Sequence, residues 1–446
     1  MHPTMRTRSV GMRVAVGAAA AGLVAVGLLS VAVHRALTAR PATTLDNAIY
    51  VWRRIWDDDL RAAVHKADRR ADGFWVLAAE VTAKDDAVQW TKIPATWPAL
   101  AGSAARVTLV MRADVSVMGI LRSDGVAAAD VFRQHLLELG READAAGVNV
   151  RGFQLDLDCP TSKLATYADL LQTLRPGLES LDLSITTLPD WLRSPAFPKV
   201  VQGLACFVVQ VHSIEKPSVI DAPVTLCRTE RVAEVARKAS GAGVPFYIAL
   251  PTYGYEVAFD ADGQFVGLAA EGPAPAWAPG VRTRVVMSDP MRLARVVSTL
   301  DRNRPAGLKG LAWFRLPVSS DRLNWSWATL EAVMQGREPL VCFAAEVRRP
   351  NPDLHEVWVR NAGEYVPRGK TTPSVALDVR IPARAVRASD LLNGFSETSG
   401  RGGRAMRLAG PAPLTDEPIM VAWFRLAPAQ AEDAGPVQAG PVEVLP

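Results

Sequence analysis

Two aspartates that stand two residues apart have the clearest chemical potential in this sequence. Asp156 and Asp158 fall within residues 151–160, where apolar and polar side chains alternate until Pro160 ends the run. Period-two alternation is typical of a β-strand, so both carboxyls should share one strand face, with Cα atoms about 6.6 Å apart. Carboxyls at this spacing repel each other when ionised, which raises one pKa and leaves a group that can act as a general acid.

We assign the general-acid role to Asp158, which stands at the carboxyl end of the predicted strand, and we make Asp156 its charged partner. A buried polar network without catalytic activity is the alternative for both residues. The pattern does not choose a second carboxylate from across the site. Three other predicted strand ends offer candidates: Glu80, Asp114 and Asp190.

Eight short apolar runs alternate with helical segments along the chain. The runs cover residues 48–55, 74–81, 107–111, 148–157, 181–186, 206–212, 246–251 and 311–316, and the clearest helices cover residues 127–146, 163–174 and 229–239. Eight such units predict an α/β fold, a (β/α)8 TIM barrel over residues 46–337, with its site at the carboxyl ends of the strands. A doubly wound open sheet is the alternative, but no glycine fingerprint follows the first run.

The predicted strand ends carry aromatic rings beside amides and charged groups. This mixture suits a sugar-binding cleft, because ring faces stack on sugars while polar groups bind hydroxyls. His212 could orient a substrate or transfer a proton, and a structural role is the alternative. Core packing is the alternative for each aromatic residue, and an internal ion pair for each arginine. The candidate substrate-binding residues are Trp52, Arg54, Gln154, Asp190, Trp191, Gln210, Tyr253, Tyr255, Trp313 and Arg315.

Metal, cofactor and disulfide sites have weaker support. Asp156, Asp158 and His212 could hold a metal ion, but no second histidine stands near them, so we predict neither a metal nor a cofactor. The spacing of the four cysteines fits no zinc pattern. Cys206 and Cys227 could form a disulfide in an exported protein, and two buried thiols are the alternative.

The N-terminal segment predicts export. Residues 14–33 form an uncharged run of apolar and small residues after three arginines, long enough to span a bilayer. The positive flank should stay cytoplasmic, so we predict that residues 1–45 are a signal anchor that tethers a periplasmic or extracytoplasmic protein to the membrane. A cleaved signal peptide is the alternative. Five of the 50 basic residues lie in this segment, and the other 45 face 46 acidic residues, which removes the electrostatic case for nucleic acid.

The pattern changes after residue 337. Residues 341–347, 357–360, 375–381, 405–408 and 419–426 resemble strands, and no convincing helix lies between them. We therefore predict a small antiparallel β domain over residues 338–427. Residues 428–446 are rich in Pro, Ala and Gly and are predicted to form a disordered tail.

Several motifs resemble known families. The run from Gly152 to Asp158 resembles the fourth-strand signature of chitinase-like family-18 glycoside hydrolases, Asp-Gly-x-Asp-x-Asp-x-Glu. Residues 251–254 resemble their Pro-x-Tyr-Gly motif, and Trp313 their strand-eight tryptophan. More closely, residues from about 50 to 327 resemble a bacterial family of uncharacterised proteins, domain of unknown function 3142, through residues 154–160, 210–213, 249–255 and 313–317. Both resemblances imply a TIM barrel.

The sequence departs from the chitinase pattern at the positions that carry chemistry. Gln154 stands in place of the first Asp, and Asp158 in place of the catalytic Glu. The shorter side chain sets its carboxyl about 1 Å further from the scissile oxygen, a displacement that can cost about 100-fold in rate. Gln210 and His212 replace the Tyr–Asp pair that orients an acetamido group in chitinases, so another sugar or a loss of catalysis is expected.

Together these features predict an exported glycoside-hydrolase-like protein that acts on a cell-envelope or extracellular polysaccharide or oligosaccharide. One alternative is a carbohydrate-binding barrel that has lost catalysis with the catalytic Glu. A second alternative is a metal-dependent polysaccharide hydrolase.

Overall fold

The structure is a computed structural model that describes residues 43–85, 87–213, 216–272, 275–367, 373–382, 386–401, 405–414, 417–428 and 436–445. The chain divides after Pro339 into two compact units, one of residues 43–339 and one that includes residues 340–446. The predicted membrane-spanning run, residues 14–33, lies outside the described residues. Within the described ranges, no helix is long and apolar enough to cross a membrane.

The first unit contains a closed barrel of eight parallel strands. The strands of this unit are β1 (Asp46–Val51), β2 (Gly73–Lys84), β3 (Ala87–Lys92), β4 (Arg106–Ala113), β5 (Val150–Leu157), β6 (Asp182–Thr187), β7 (Cys206–Gln210), β8 (Phe246–Pro251), β9 (Gly254–Phe259), β10 (Phe265–Ala269), β11 (Arg282–Met287) and β12 (Leu308–Phe314). The barrel order is β1-β12-β8-β7-β6-β5-β4-β2, and β1 also pairs with β2, which closes it. The TIM barrel is confirmed, since each of the eight predicted runs overlaps one barrel strand.

Helices alternate with these strands. They are α1 (Asp58–Ala67), α2 (Val117–Ser123), α3 (Gly125–Ala145), α4 (Leu164–Leu174), α5 (Phe197–Val201), α6 (Thr229–Ser240), α7 (Pro290–Arg302) and α8 (Trp327–Met334). Side chains of Asp57, Asp124 and Asp289 accept backbone N–H bonds and so cap three helix starts. The three predicted helices correspond to α3, α4 and α6.

Two separate apolar clusters explain how the barrel orients its side chains. Phe153, Leu155 and Leu157 on one face of β5 belong to the large cluster that includes the buried helix residues. The opposite face of the strands forms a small cluster with Tyr50 and Trp75. The polar row of β5 therefore points into the barrel, as the alternation predicted.

A three-stranded antiparallel sheet, ordered β10-β9-β11, follows the seventh barrel strand and was not predicted. Its strands are short, and much of β10 and β11 is only partly buried, so their sequence lacks a clear alternation. Phe259 anchors β9 because its ring is fully buried, with the Arg284 guanidinium 5.8 Å from the ring centre.

The second unit has two four-stranded antiparallel sheets, which confirms the predicted β domain. Its strands are β13 (Phe343–Asn351), β14 (Leu354–Asn361), β15 (Ser374–Arg380), β16 (Val386–Leu391), β17 (Ser396–Arg401), β18 (Ala405–Pro411), β19 (Ile419–Leu426) and β20 (Gln438–Val444). The sheet orders are β13-β14-β19-β16 and β17-β18-β15-β20. Side chains of both sheets share one core, which includes Val357, Leu377 and Phe424.

The predicted disordered tail is wrong for residues 438–444, which form β20. This strand pairs with β15 at the edge of its sheet, and Pro441 lies where the register shifts. An edge strand tolerates proline because one side needs no ladder hydrogen bond. Val437, just before the strand, is buried in the core.

Candidate active site

A cavity of about 930 Å³ opens where the barrel strands end, and its size lies within the usual range for a small-molecule site. Its lining combines charged groups with aromatic rings. The charged residues are Arg53, Arg54, Glu80, Arg112, Asp156, Asp158, Glu271 and Arg315, and the ring-bearing residues are Tyr50, Trp52, His212, Tyr253, Tyr255 and Phe314.

Asp156 lies at the inner part of this lining and is held by hydrogen bonds. Its Oδ1 accepts 2.5 Å from Thr186 Oγ1 and 3.4 Å from Gln210 Nε2. Burial raises the pKa of Asp156 to about 6, the Thr186 bond opposes that rise, and the charge of Asp158 adds to it. Burial is thus the main cause, whereas the sequence had suggested repulsion between the two carboxyls.

Asp158 lies further out and is exposed to solvent. Within the described part of the chain, its carboxyl accepts no hydrogen bond from another residue. Partial burial raises its pKa, and the positive charge of Arg112 lowers it. Asp158 is therefore a carboxyl that can exchange its proton with a ligand.

Glu80, Arg112 and Asp156 form one row across three neighbouring strands. Glu80 on β2 is the register partner of Arg112 on β4, and Arg112 is the register partner of Asp156 on β5. Arg112 Nη1 lies 3.5 Å from Glu80 Oε1. The Arg112 guanidinium therefore contacts Glu80, and its positive charge also lowers the pKa of Asp156 on the other neighbouring strand.

Arg54 binds Glu80 through two parallel hydrogen bonds. Its Nε and Nη2 each donate 2.8 Å to one oxygen of Glu80. The bond from Arg54 is the largest cause of the lowered pKa of Glu80. Bidentate pairs of this kind are among the stronger charge-assisted bonds in proteins.

A second ion cluster surrounds Arg315. Its Nη2 lies 3.3 Å from Asp321 Oδ1 and 3.9 Å from Glu271 Oε2, and Arg53 also bonds to Asp321. The Asp321 side chain is only 1% exposed, and its other oxygen accepts from the backbone of Val318. These contacts fix the segment after β12 against the cavity.

His212 is nearly buried and packs among rings. Its Nδ1 lies 3.3 Å from the Tyr253 hydroxyl, and its ring stacks on Phe314 with centroids 5.3 Å apart. Burial lowers the pKa of His212 to about 4, so the ring is neutral near pH 7. The Tyr253 ring meets Tyr255 edge-on with centroids 5.3 Å apart. His212 can therefore accept or donate a hydrogen bond without carrying charge.

Aromatic rings form the inner lining of the cavity. Trp52 and Phe314 meet at 5.3 Å between centroids, and Tyr50 contacts both. Below them, the Tyr50 hydroxyl donates 2.7 Å to Gln154 Oε1, and Gln154 Nε2 donates to Ser184. Gln154 is completely buried and does not line the cavity, so its predicted role in substrate binding is corrected to a structural one.

Three further candidates also lie outside the cavity lining. Trp191 is fully buried, and its indole donates to the Cys159 carbonyl because the short helical turn after β6 folds back on α4. Trp313 is fully buried on the helix-facing side of β12, with its indole bonded to Asn47. Asp190 is exposed on that turn. The strand alternation therefore assigns the ring of the neighbouring Phe314, and not that of Trp313, to the cavity.

The other nine predicted site residues do line the cavity. They are Trp52, Arg54, Asp156, Asp158, Gln210, His212, Tyr253, Tyr255 and Arg315. Glu271, which sequence reasoning missed, comes just after β10 in the unpredicted sheet, and Asp321 pairs with Arg315 from the loop after β12. No sequence signal pointed to either residue, because neither follows a predicted strand directly.

Metal and disulfide alternatives find no geometric support. Among the described residues, no three His, Cys, Asp or Glu side chains are grouped to hold a metal ion, and this includes Asp156, Asp158 and His212. All four cysteines are free thiols. Cys206 and Cys227 are partly buried, and burial raises the pKa of both thiols to about 12, so the alternative of two thiols fits them better than a disulfide.

A profile of the family "Domain of unknown function (DUF3142)" matches residues 113–319, which confirms the predicted resemblance. The matched residues run from the last residue of β4 to the loop after β12. No curated protein sequence matches the chain.

Solved structures similar to this chain are chitinase-like TIM barrels at low identity. The Bacillus cereus spore cortex-lytic enzyme SleL has a TM-score of 0.47 at 11% identity, covering 67% of this chain and 75% of that one. A chitinase from Chromobacterium violaceum has a TM-score of 0.45 at 15% identity, covering 66% and 98%. A family-18 chitinase from Cycas revoluta, in complex with (GlcNAc)4, has a TM-score of 0.45 at 14% identity, covering 65% and 98%.

Proposed function

We propose that this protein binds a glycan in the cavity and hydrolyses a glycosidic bond, with Asp158 as general acid and Asp156 as its partner. The observation that carries the proposal is this pair of carboxyls with raised pKa values, placed on one strand end and open to an aromatic-lined cavity. Glycoside hydrolysis needs an acid that protonates the leaving oxygen and a second carboxyl near the sugar.

The hydrogen bonds divide the roles between the two aspartates. Thr186 and Gln210 both donate to Asp156, which fixes its carboxyl and favours its ionised form. Asp158 has no such donor among the described residues, so its proton remains available to a leaving-group oxygen. This difference supports Asp158 as the acid and Asp156 as the group that stabilises positive charge on the sugar.

The ring-bearing residues support sugar as the ligand class. Trp52 and Tyr255 line the cavity beside Phe314 and can stack on the apolar faces of sugar rings. His212 is uncharged near neutral pH, and with the Tyr253 hydroxyl it offers polar atoms suited to sugar hydroxyls. Together they supply the apolar and neutral polar contacts that a glycan requires.

We also propose that the substrate is a cell-envelope or extracellular polysaccharide and that residues 14–33 direct export and tether the protein to the membrane. The composition of this uncharged run after three arginines supports the proposal. Export would place the barrel on the side of the membrane where such glycans occur.

A non-catalytic glycan receptor is the second candidate, and the ion pairs favour it. Glu80 is bound by Arg54, and Glu271 lies beside Arg315, so neither is an unpaired base across the cavity from the aspartates. A receptor would use the same rings and cavity without turnover. The two candidates differ only in whether Asp158 transfers a proton.

The deciding experiment compares the full-length protein with its Asp158→Asn variant on a panel of polysaccharides and oligosaccharides, scored for binding and for reducing-end release. We expect the variant to keep binding but to lose release by about 100-fold or more, as removal of a general acid does. Asp114→Asn is the matched control, because Asp114 is exposed at the end of β4, bonds to Ser116 and does not line the cavity. Equal release by both aspartate variants and the unmodified protein would contradict the assignment, and binding without release by any of them would favour the receptor.

A further inference from the structure

Glu80 forms ion pairs with two of the four arginines in the cavity. Arg54 donates to both oxygens of Glu80 at 2.8 Å, and Arg112 lies 3.5 Å from one of them. The Glu80 side chain is 18% exposed, whereas those of Arg54 and Arg112 are 64% and 51% exposed. The carboxylate thus sits on the inner side, and both guanidiniums reach toward the solvent side of the cavity.

The other two cavity arginines are also paired. Arg53 and Arg315 both contact Asp321, and Arg315 lies near Glu271 as well. No lysine lines the cavity within the described part of the chain. A negatively charged ligand would therefore find no unpaired cation in this lining.

The unpaired charges of the cavity are negative. Neither Asp156 nor Asp158 forms an ion pair among the described residues, although Arg112 is close enough to lower the pKa of both. A sugar carboxylate would meet the ionised Asp156, and Asp158 as well whenever that carboxyl has given up its proton, and like charges without a counterion oppose binding. Uncharged hydroxyls would meet no such repulsion.

We propose that Glu80 makes the cavity selective for uncharged glycans over acidic ones, such as those built from uronic acids. The inference rests on the proposed function only in that a glycan must bind in this cavity. Glu80 acts by occupying the donors of Arg54 and Arg112, which would otherwise form a two-guanidinium site for a carboxylate. Its role is in specificity, and no step of hydrolysis depends on it.

The variant Glu80→Gln separates this role from a structural one. Glutamine keeps the size of the side chain and can still accept a hydrogen bond from Arg54, but it removes the negative charge. The positive charges of Arg54 and Arg112 then lack a counter-charge at this position, and the donors that glutamine does not occupy can bind a ligand carboxylate. The affinity for an acidic glycan should rise, while that for an uncharged glycan of the same backbone should not change.

The experiment measures binding of matched ligands to the full-length protein by calorimetric titration. The ligands are β-1,4-linked hexamers of glucose and of N-acetylglucosamine, any other uncharged panel member that binds, and each of these after oxidation of its C6 hydroxyls to carboxylates. We expect the unmodified protein to bind the best uncharged ligand at least about tenfold more tightly than its oxidised form. In Glu80→Gln, the ratio of the affinity for the uncharged ligand to the affinity for its oxidised form should fall about tenfold or more, because only the oxidised form binds more tightly. Added salt should weaken the binding of the oxidised form to this variant and leave the binding of the uncharged ligand unchanged.

Asp190→Asn is the matched control, because it removes the same charge from an exposed position outside the cavity lining. It should leave the ratio unchanged. The proposal is overturned if the unmodified protein prefers the oxidised ligands, or if folded Glu80→Gln keeps the original ratio. If Glu80→Gln fails to fold, the test is whether the unmodified protein binds the uncharged ligands more tightly than their oxidised forms, and the opposite preference overturns the proposal. Failure to bind any member of the panel, charged or uncharged, would instead contradict the proposed function.

Discussion

The Thr186 hydroxyl donates a hydrogen bond of 2.5 Å to Asp156 and thereby joins the ends of β6 and β5 inside the cavity. Burial raises the pKa of Asp156, and this bond is the largest factor that opposes the rise. A hydrogen bond to an ionised carboxylate stabilises the charged form. The proton affinity of Asp156 is therefore set mainly by how deeply it lies and by one neighbouring hydroxyl.

Replacement of Thr186 by valine should raise the pKa of Asp156 further above its value of about 6. Valine keeps the branched shape at this buried position but cannot donate, so the ionised carboxylate loses its shortest bond. We expect an increase of about one pKa unit, since a charge-assisted bond contributes roughly 1.5 kcal/mol. Carboxyl carbon shifts recorded by NMR across pH 4–8 measure it.

Thr187→Val is the control for this change. Thr187 is equally buried, but its hydroxyl donates to the Val208 carbonyl and does not contact Asp156. The control should lose a similar amount of stability and leave the titration of Asp156 unchanged. Equal pKa changes in both variants would mean that the effect comes from packing and not from the Thr186 bond.

His212→Gln should reduce the loss of stability at acid pH. Burial lowers the pKa of His212 from 6.5 to about 4, so between these values the unfolded chain binds a proton that the folded protein does not. Stability from this group is full above pH 6.5 and is lost as the pH falls toward 4, by up to about 3 kcal/mol. The variant lacks this loss, although it packs less well against Phe314.

Urea unfolding at pH 7 and pH 4.5 tests this prediction. The unfolding free energy lost between pH 7 and pH 4.5 should be smaller in His212→Gln than in the unmodified protein by about 2 kcal/mol. His65→Gln provides the comparison, because His65 is exposed on α1. An unchanged difference in the His212 variant would show that this histidine titrates normally.

Trp52 and Trp313 should respond oppositely to substitution. Trp52 lines the cavity, so Trp52→Ala should weaken glycan binding by about tenfold or more, as loss of a stacking aromatic does. Trp313 is fully buried and bonds to Asn47, so Trp313→Phe should cost about 1–3 kcal/mol of unfolding free energy and change affinity less than about twofold. Titration and thermal unfolding of both variants check this. If Trp313→Phe instead weakened binding and Trp52→Ala affected only stability, Trp313 would have to be part of the binding site.

Removal of the last strand should destabilise the β domain. A chain that ends at residue 428 lacks β20 and the buried Val437, and it leaves β15 unpaired along one edge. We expect the calorimetric transition temperature of the β domain to fall by at least about 5 °C, while that of the barrel stays unchanged. A chain that lacks only residue 446 is the control. Identical thermograms would mean that β20 contributes little to the domain.

The sequence predicted the barrel well because parallel strands covered on both faces are almost continuously apolar. Residues 74–79 of β2 are all buried, and such runs stand out from the helices between them. β16 was missed for the opposite reason, since five of its six residues are exposed and no alternation remains. Edge strands such as β20 are likewise held by backbone pairing, which leaves little trace in side-chain types.

Within the site, the sequence predicted the residues whose direction follows from strand alternation. Asp156 and Gln210 lie inside the barrel because they stand on the inward phase of their strands. Trp191 could not be predicted in this way, since it lies within a short helical turn, Pro189–Arg193, where strand alternation no longer applies, and its indole is buried. Glu271 enters from a sheet that packs from the side, and only the tertiary structure brings it to the cavity.

Burial acts on Asp156 and His212 in opposite senses, which affects how the whole protein responds to acid. It raises the pKa of Asp156 from 3.8 to about 6 and lowers that of His212 from 6.5 to about 4. Between about pH 4 and 6, folding gains a proton at the aspartate and gives one up at the histidine, so the exchanges nearly cancel. The cavity can therefore hold two buried ionisable groups whose combined effect leaves the free energy of unfolding nearly unchanged under moderate acidification.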